Sequence, residues 1–210
     1  MSTTIWIWGT AGVLYLVFLA WYENWSGPIT ADEVDSYMDT FHKSKGGAHT
    51  DAEVFRQFLE SDDGNEFIMQ NLVKFHKGKI PDPISGELRD PRAVLNGYFG
   101  PFTSALFKRA GHPVIASQKV GGYIDSWETT ADPGWDLSSL MRYRSRRDLV
   151  ELAIHPSFED IHIFKNAAIQ QTASFPTQTS ISFFLSPKFF VPLLLLLLAS
   201  LTQNLIGWLR

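Results

Sequence analysis

Cysteine is absent from all 210 residues. This removes disulfides, thiolate nucleophiles, Cys-ligated zinc and iron–sulfur clusters, and leaves the cellular compartment open. Charge is missing from both ends: residues 1–25 hold no Lys or Arg and one acid, Glu23, and residues 181–210 hold only Lys188 and Arg210. Positive charge is scarce in between, where 16 basic residues face 21 acidic ones, a net of −5. That balance lacks the basic footprint of a nucleic-acid binder. No Walker loop, G-x-S-x-G elbow, H-E-x-x-H pair or nucleotide-binding glycine fingerprint occurs, so no common catalytic motif declares itself.

The uncharged ends are long apolar runs. Thr4 to Tyr22, TIWIWGTAGVLYLVFLAWY, would span about 28 Å as a helix, against a hydrocarbon core of about 30 Å. MSTT lacks the basic region of a signal peptide and no Ala-x-Ala site precedes Glu23, so a membrane-crossing helix is expected. Phe189 to Trp208 supplies a second run, centred on six leucines, Leu193 to Leu198. Each leucine favours the bilayer centre by roughly 0.3–0.6 kcal/mol. Pro187 and Pro192 fall before this helix or in its first turn, where a missing N–H costs little. Indole rings prefer the headgroup level, and here they mark two borders. Trp6, Trp8 and Trp208 form one, and Trp21, Tyr22 and Trp25, with Phe183 and Phe184, form the other.

The expectation is therefore an integral membrane protein of the bacterial inner-membrane type. Its helices run antiparallel, with both termini on one side and the central domain on the other, leaning extracytoplasmic. Lys188 and Arg210 flank opposite sides and nearly cancel as orientation signals. The sequon Asn24-Trp25-Ser26 lies too close to the bilayer to read as more than a chance match. Gly9 and Gly12 allow close helix packing. Gln203 and Asn204 are amides that belong near the interface or against a partner helix. These residues, with Trp6 and Trp208, are the candidate contacts to other membrane subunits and lipid.

Between the spans, residues 26–61 read as a helical lead-in and 62–180 as the main domain. Thr30 with Glu33, and Thr50 with Glu53, are two capping boxes. They open helices near 31–42 and 51–61. EFIMQNLVKF reads as a central strand covered on both faces. Helical spacing follows from Val94 to Phe107, with Gly97, Gly100 and Pro101 marking a kink or the true start, and Gly111 as C-cap. VIASQKVGGYI and WDLSSLMRY read as strands. A helix or helix pair over 146–169, broken at Pro156, precedes a last strand at QTASF. The fold class is α+β, in the ferredoxin-like βαββαβ order, plus one transmembrane helix at each end.

Four stretches carry a likeness to a known family: FIMQNLVKFHKG, Tyr98 with its helix to Ala110-Gly111-His112, YRSRRDLVELAIHPSFED, and Asn166-Ala167-Ala168. Over about residues 62–176 the chain resembles the "domain of unknown function 1330" family of the dimeric α/β-barrel superfamily. Two departures stand out: Arg144 where family members have Pro, and Phe164-Lys165 where they have His-Arg. The resemblance implies the ferredoxin-like fold and a homodimer through the sheet, but no established reaction.

Candidate chemistry is thin. His155 and His162 are seven apart, a helical spacing for metal or haem that Pro156 interrupts. His76 and His112 read as surface or capping residues. Ser61-Asp62-Asp63-Gly64 lacks the rest of a calcium loop. Arg142, Arg144, Arg146 and Arg147 form the one basic cluster. It suits an anionic ligand, a lipid headgroup or an acidic partner surface, including the chain's own lead-in helices, against a plain solvated strand end, and Arg142 and Arg144 join the candidate contacts to partners and lipid. Asp136 and Glu128 lie near Trp127 and Trp135, the one place resembling an acid–base pocket. No catalytic residue, metal or cofactor is expected from this set.

The favoured function is a membrane-anchored accessory or structural subunit of a larger complex of respiratory, photosynthetic or oxidase type. The alternative is a membrane-tethered enzyme for a small apolar substrate, oxygenase- or isomerase-like as the superfamily resemblance implies. The topology is testable at once. Tags at the two termini should show equal protease accessibility in sealed vesicles, and opposite accessibility would refute an antiparallel pair.

Overall fold

A computed structural model of the chain describes residues 2–43, 49–182 and 186–209. Phe183, Phe184 and Arg210, assigned above to membrane borders, lie outside the described residues. The chain divides into two units, residues 1–25 with 179–210, and residues 26–178.

The first unit is a helix pair, α1 (Thr3–Tyr22) and α7 (Pro187–Trp208), both long and apolar enough to cross a membrane. Three polar ties set them antiparallel. The Trp8 Nε1–H donates to Gln203 Oε1 at 2.5 Å, the Tyr15 hydroxyl donates to the Lys188 carbonyl at 3.1 Å, and Lys188 Nζ meets Glu23 Oε1 at 3.1 Å. Thr3, Ile7, Ala11, Tyr15, Phe18 and Leu19 are the half-buried positions of α1, and Ala199 is buried on α7.

The second unit contains α2 (Ala31–Lys43), α3 (Ala52–Glu60), β1 (Phe67–Phe75), β2 (Ile80–Pro81), β3 (Leu88–Arg89) and α4 (Pro91–Lys108). Then follow β4 (His112–Gln118), β5 (Leu137–Tyr143), α5 (Arg146–Ala153), α6 (Pro156–Ala168) and β6 (Ile169–Thr177). The main sheet has the order β4-β5-β1-β6, every neighbour antiparallel, and β2 pairs with β3 in a small ribbon.

Local sequence explains most element borders. The Thr30–Glu33 box forms in full: Thr30 N–H donates to Glu33 Oε2 at 2.8 Å, and Glu33 N–H donates to Thr30 Oγ1 at 3.4 Å. The second cap is one residue later than expected. Asp51 Oδ1, not Thr50, accepts the N–H groups of Glu53 and Val54 at 3.0 and 3.1 Å, because an Asp at this position reaches two orphan donors at once. Helix α4 starts at Pro91 after the N-cap Asp90 and continues through Pro101, so the glycines and Pro101 mark no break in it.

At the C-terminus of α4 the expected cap residue shifts as well. Ala110 takes the left-handed conformation (φ 56), while Gly111 N–H donates to the Leu106 carbonyl at 2.9 Å and Ala110 N–H to that of Phe107 at 3.0 Å. Gly111 is required for space instead. A Cβ there would lie 2.4 Å from Leu106 Cδ1 and 2.8 Å from the Arg142 carbonyl oxygen.

The sheet is covered unequally, unlike the two-sided burial read from its apolar sequence. Phe67 and Met69 pair across from Tyr143 and Met141, and this face packs with Phe102 and Leu106 of α4 and Phe158 of α6. A second cluster joins the lead-in to α5: Ile29, Val34, Met38, Phe41 and Leu59 enclose Val150, which is wholly buried. Ile68, Gln70 and Leu72 alternate to the other face, beside Leu140 and Phe175, and are only half-buried. Strand β4 ends at Gln118, where its pairing with Leu137 stops, and residues 119–136 form neither helix nor strand.

Two glycine substitutions should separate these roles. Gly111→Ala should destabilise the chain by about 1–3 kcal/mol through overpacking. Gly100→Ala, where an added Cβ meets nothing within 4 Å, should be neutral or stabilise by up to about 1 kcal/mol. Denaturant midpoints of the full chain in mild detergent read both.

Candidate functional site

On α1 the glycines face away from α7. A Cβ added at Gly9 or Gly12 meets nothing within 4 Å, so neither residue serves the observed helix pairing. Trp6 is 63% exposed and Trp208 87%. Gln203 is engaged by Trp8, whereas Asn204, one residue on, is exposed and its side chain makes no hydrogen bond among the described residues. A largely apolar groove of about 390 Å³ runs between the helices, walled by Ile7, Ala11 and Leu14 on one side and Leu195, Leu198 and Ala199 on the other.

The arginines of the basic cluster, read as candidate contacts to a ligand, lipid or an acidic surface including the lead-in, are bonded within the chain. Arg142 is 3% exposed. Its Nε and Nη2 donate to Glu66 Oε2 at 2.8 and 2.6 Å, and Nη1 donates to the Ala110 carbonyl at 2.5 Å. Arg144 grips Asp148 through two bonds of 2.8 and 2.7 Å, and Asp148 also accepts from the Ser145 hydroxyl at 2.7 Å. Arg146 pairs with Asp62 at 3.3 Å, bonds the Phe58 carbonyl and stacks 4.5 Å over the Phe58 ring. Arg147 holds both Glu33 oxygens at 3.0 Å and the carbonyls of Gly27 and Pro28 at 3.2 Å. A desolvated guanidinium is tolerated only when its charge and donors are matched, and here the acids on the chain match them.

The Asp62-Asp63 pair is similarly committed. Asp62 accepts Ile29 N–H at 2.8 Å, and Asp63 accepts Gln178 Nε2 at 2.7 Å and Asn65 N–H at 3.0 Å. Those bonds hold the Asp63 carboxyl down at about 2. Among the described residues no group of three His, Asp or Glu side chains is placed to hold a metal.

The histidines do not converge. His155 precedes α6, while His162 lies inside it, its Nδ1 2.5 Å from the Phe158 carbonyl and its ring 5.4 Å from that of Tyr98. His112 Nδ1 sits 3.0 Å from the Pro113 carbonyl, and burial pushes its pKa down. Beside His162 stands a group that the sequence did not signal: the Lys165 ammonium lies 5.5 Å from the centre of the Tyr98 ring. Burial lowers the Lys165 pKa and raises that of Tyr98. Helical spacing within α6 and Tyr98 on α4 were visible separately; their meeting depends on how the helices pack, with Gly97 seated against the Phe164 ring.

The expected aromatic pocket around Asp136 and Glu128 does not form, because Trp127 is 83% exposed on the irregular 119–136 segment. Asp136 instead bonds Phe75 N–H at 2.8 Å and Lys77 Nζ at 3.1 Å. The backbone bond first and Lys77 next hold its pKa below the usual carboxylate range. It borders an open cleft of about 270 Å³ with His76, Lys77, Lys79 and Arg92. His76, expected as a surface or capping residue, lines this cleft, whose walls come from three separated segments and so have no local signal in the sequence.

No protein-family model matches the chain, and no curated protein matches it. Among solved structures it is similar to the methylated RPA0582 protein, with 20% identity, a TM-score of 0.52 and coverage of 63% of this chain and 93% of that one. It is also similar to the RPA0582 protein of unknown function from Rhodopseudomonas palustris, a structural genomics target, at 19% identity and a TM-score of 0.50, covering 62% and 94%. At these identities the likeness is one of fold.

The Glu33–Arg147 contact gives a pH test. Arg147, with Thr30 second, lowers the Glu33 pKa from 4.5 to about 2. Its stabilising effect is therefore complete above about pH 4.5 and is lost as pH falls through about 2. Arg147→Ala should return the Glu33 carboxyl, followed by NMR titration, toward 4.5 and weaken stability more at pH 7 than at pH 2, where the bonds to the Gly27 and Pro28 carbonyls are the main loss.

Proposed function

We propose that the protein is a membrane-anchored accessory subunit of a larger integral membrane complex of respiratory, photosynthetic or oxidase type. The observation that carries the reading is the placement of Gly9 and Gly12 on the side of α1 that α7 does not use. Small residues let helix backbones approach closely in lipid, where packing rather than hydrophobicity drives association. The exposed amide of Asn204 favours the same reading, since a bare amide in hydrocarbon is costly until a neighbour or the interface satisfies it. Both helices would then cross a bacterial inner membrane, with the 26–178 unit extracytoplasmic and docked on the extrinsic face of the complex.

The unit itself fits a ferredoxin-like domain of the "domain of unknown function 1330" type, supported by the antiparallel order β4-β5-β1-β6 with helices between strands. A second copy is the proposed cover for the half-buried sheet face. Ile68, Leu72 and Leu140 lie there with Phe175 and Ile115, which remain 44% and 38% exposed.

Affinity purification from native membranes in mild detergent tests the subunit reading. The native chain should recover membrane proteins in fixed ratio, and Gly9→Leu/Gly12→Leu should lower that recovery roughly tenfold, about 1.4 kcal/mol of association. A native chain recovered alone, and turning over a small apolar substrate, would replace this reading with the tethered enzyme. Phe175→Lys should convert a dimer to monomer in light scattering if the sheet is the contact.

A further inference from the structure

A cleft in the 26–178 unit is walled by three stretches far apart in sequence. The chain leaves β1 through Phe75-His76-Lys77-Gly78-Lys79, enters α4 through Asp90-Pro91-Arg92, and approaches β5 through Asp136. Three permanent cations, Lys77, Lys79 and Arg92, face two carboxylates, Asp90 and Asp136, leaving one positive charge in excess, with His76 beside them.

Both carboxylates are already committed. Asp90 Oδ1 accepts Arg92 N–H at 2.8 Å, and Asp136 takes Phe75 N–H at 2.8 Å and Lys77 Nζ at 3.1 Å. The remaining cations are less committed: among the described residues neither Lys79 nor the Arg92 guanidinium makes an ion pair, Arg92 acting on Asp136 only at longer range. The guanidinium is nevertheless placed, lying 5.0 Å over the ring of the buried Phe75. Helix α4 contributes little to anion binding by its own backbone, because Pro91 has no N–H and that of Arg92 is taken by Asp90. Recognition here would belong to side chains.

We infer that this cleft binds a small organic monocarboxylate, its carboxylate on the Arg92 fork and the Lys79 ammonium and its body held at the mouth of the cleft, on the edges of Phe75 and Pro91 that line it. A planar guanidinium matches a carboxylate through two parallel bonds, a geometry a lysine alone does not offer. The single excess charge and the two fixed carboxylates in the wall disfavour a dianion such as phosphate. At about 270 Å³ the cleft is smaller than the roughly 300–1,000 Å³ of sites for drug-sized ligands, which selects a compact molecule. This site is independent of the membrane reading: either can fail without the other.

The probe is 4-fluorobenzoate, followed by fluorine NMR line width with the full chain in mild detergent, against empty micelles. Saturable broadening with a Kd on the order of 1 mM is expected for so open a cleft. Arg92→Gln should weaken binding about tenfold and Arg92→Lys several-fold, since the lysine keeps charge but loses the fork. Arg92→Gln/Lys79→Gln should abolish it. Both side chains are exposed, so the variants should keep the native near-ultraviolet dichroism, with at most a small fall in Tm from the lost Arg92–Phe75 stacking. The neutral 4-fluorobenzamide should broaden no more than with empty micelles, and inorganic phosphate should compete only at much higher concentration. Native binding in the double variant, equal broadening of the amide, or displacement by equimolar phosphate would each overturn the proposal.

Discussion

The charge on Arg142 constrains more of the central unit than any other single group. Its side chain, 4% exposed, leaves β5 and ends on Glu66 just before β1 and on the Ala110 carbonyl just after α4. One guanidinium therefore fixes where the central strand begins, where the main helix ends, and how close the two come. That closeness explains the absent side chain at Gly111, whose backbone is pressed against the Arg142 carbonyl. Glu66 keeps 40% of its side chain exposed, so the desolvation cost falls mainly on the arginine. Five guanidinium donors with fixed directions allow it to satisfy a carboxylate and a carbonyl together. The three arginines that follow extend the scheme: Arg144 braces the first turn of α5, and Arg146 and Arg147 reach the lead-in. Helices α2 and α3 are thereby held to the sheet unit by charge at the edge and by Val150 at the centre.

The same arrangement leaves the sheet lopsided. Helices α4 and α6 pack with Phe67, Met69, Met141 and Tyr143, and the core described is built from that side. Strand β1, apolar on both sides, has Ile68 and Leu72 on the face that this core does not use. A strand with apolar residues on both faces, yet buried within its unit on one side, carries apolar surface that costs free energy in water until covered.

Legibility in the sequence followed the range of the interaction that decides each feature. The two terminal helices could be read because some twenty apolar residues in a row have few other uses. The Thr30–Glu33 cap, the break before Pro156 and the strands at 67–75 and 137–143 are decided within a few residues, and were legible too. Features resting on a choice between neighbours were missed by one position: Asp51 for Thr50, and Ala110 for Gly111 as the left-handed residue. Those decided by tertiary contact were hidden. Nothing local to YRSRRD says which acid each arginine will meet, and nothing in HKGK says that Arg92 and Asp136 will stand beside it. The family resemblance concerned the central region, and no family model reproduces it.

Within the helix pair, polar bonding sorts which groups remain to be satisfied by something else. Gln203 and Trp8 satisfy one another, Tyr15 bonds the Lys188 carbonyl, and Lys188 itself neutralises Glu23. Each of these ties lies between α1 and α7 and would hold them together without a third helix. Ala11 and Ala199 let the two backbones approach, leaving Gly9 and Gly12 outside the contact. A glycine in a helix interior costs about 0.5–1 kcal/mol relative to alanine, a loss without return where no neighbour uses the space. Two such positions one turn apart on the outer side of α1 thus make sense physically when another backbone lies along them, which is the geometric requirement that any partner helix has to meet.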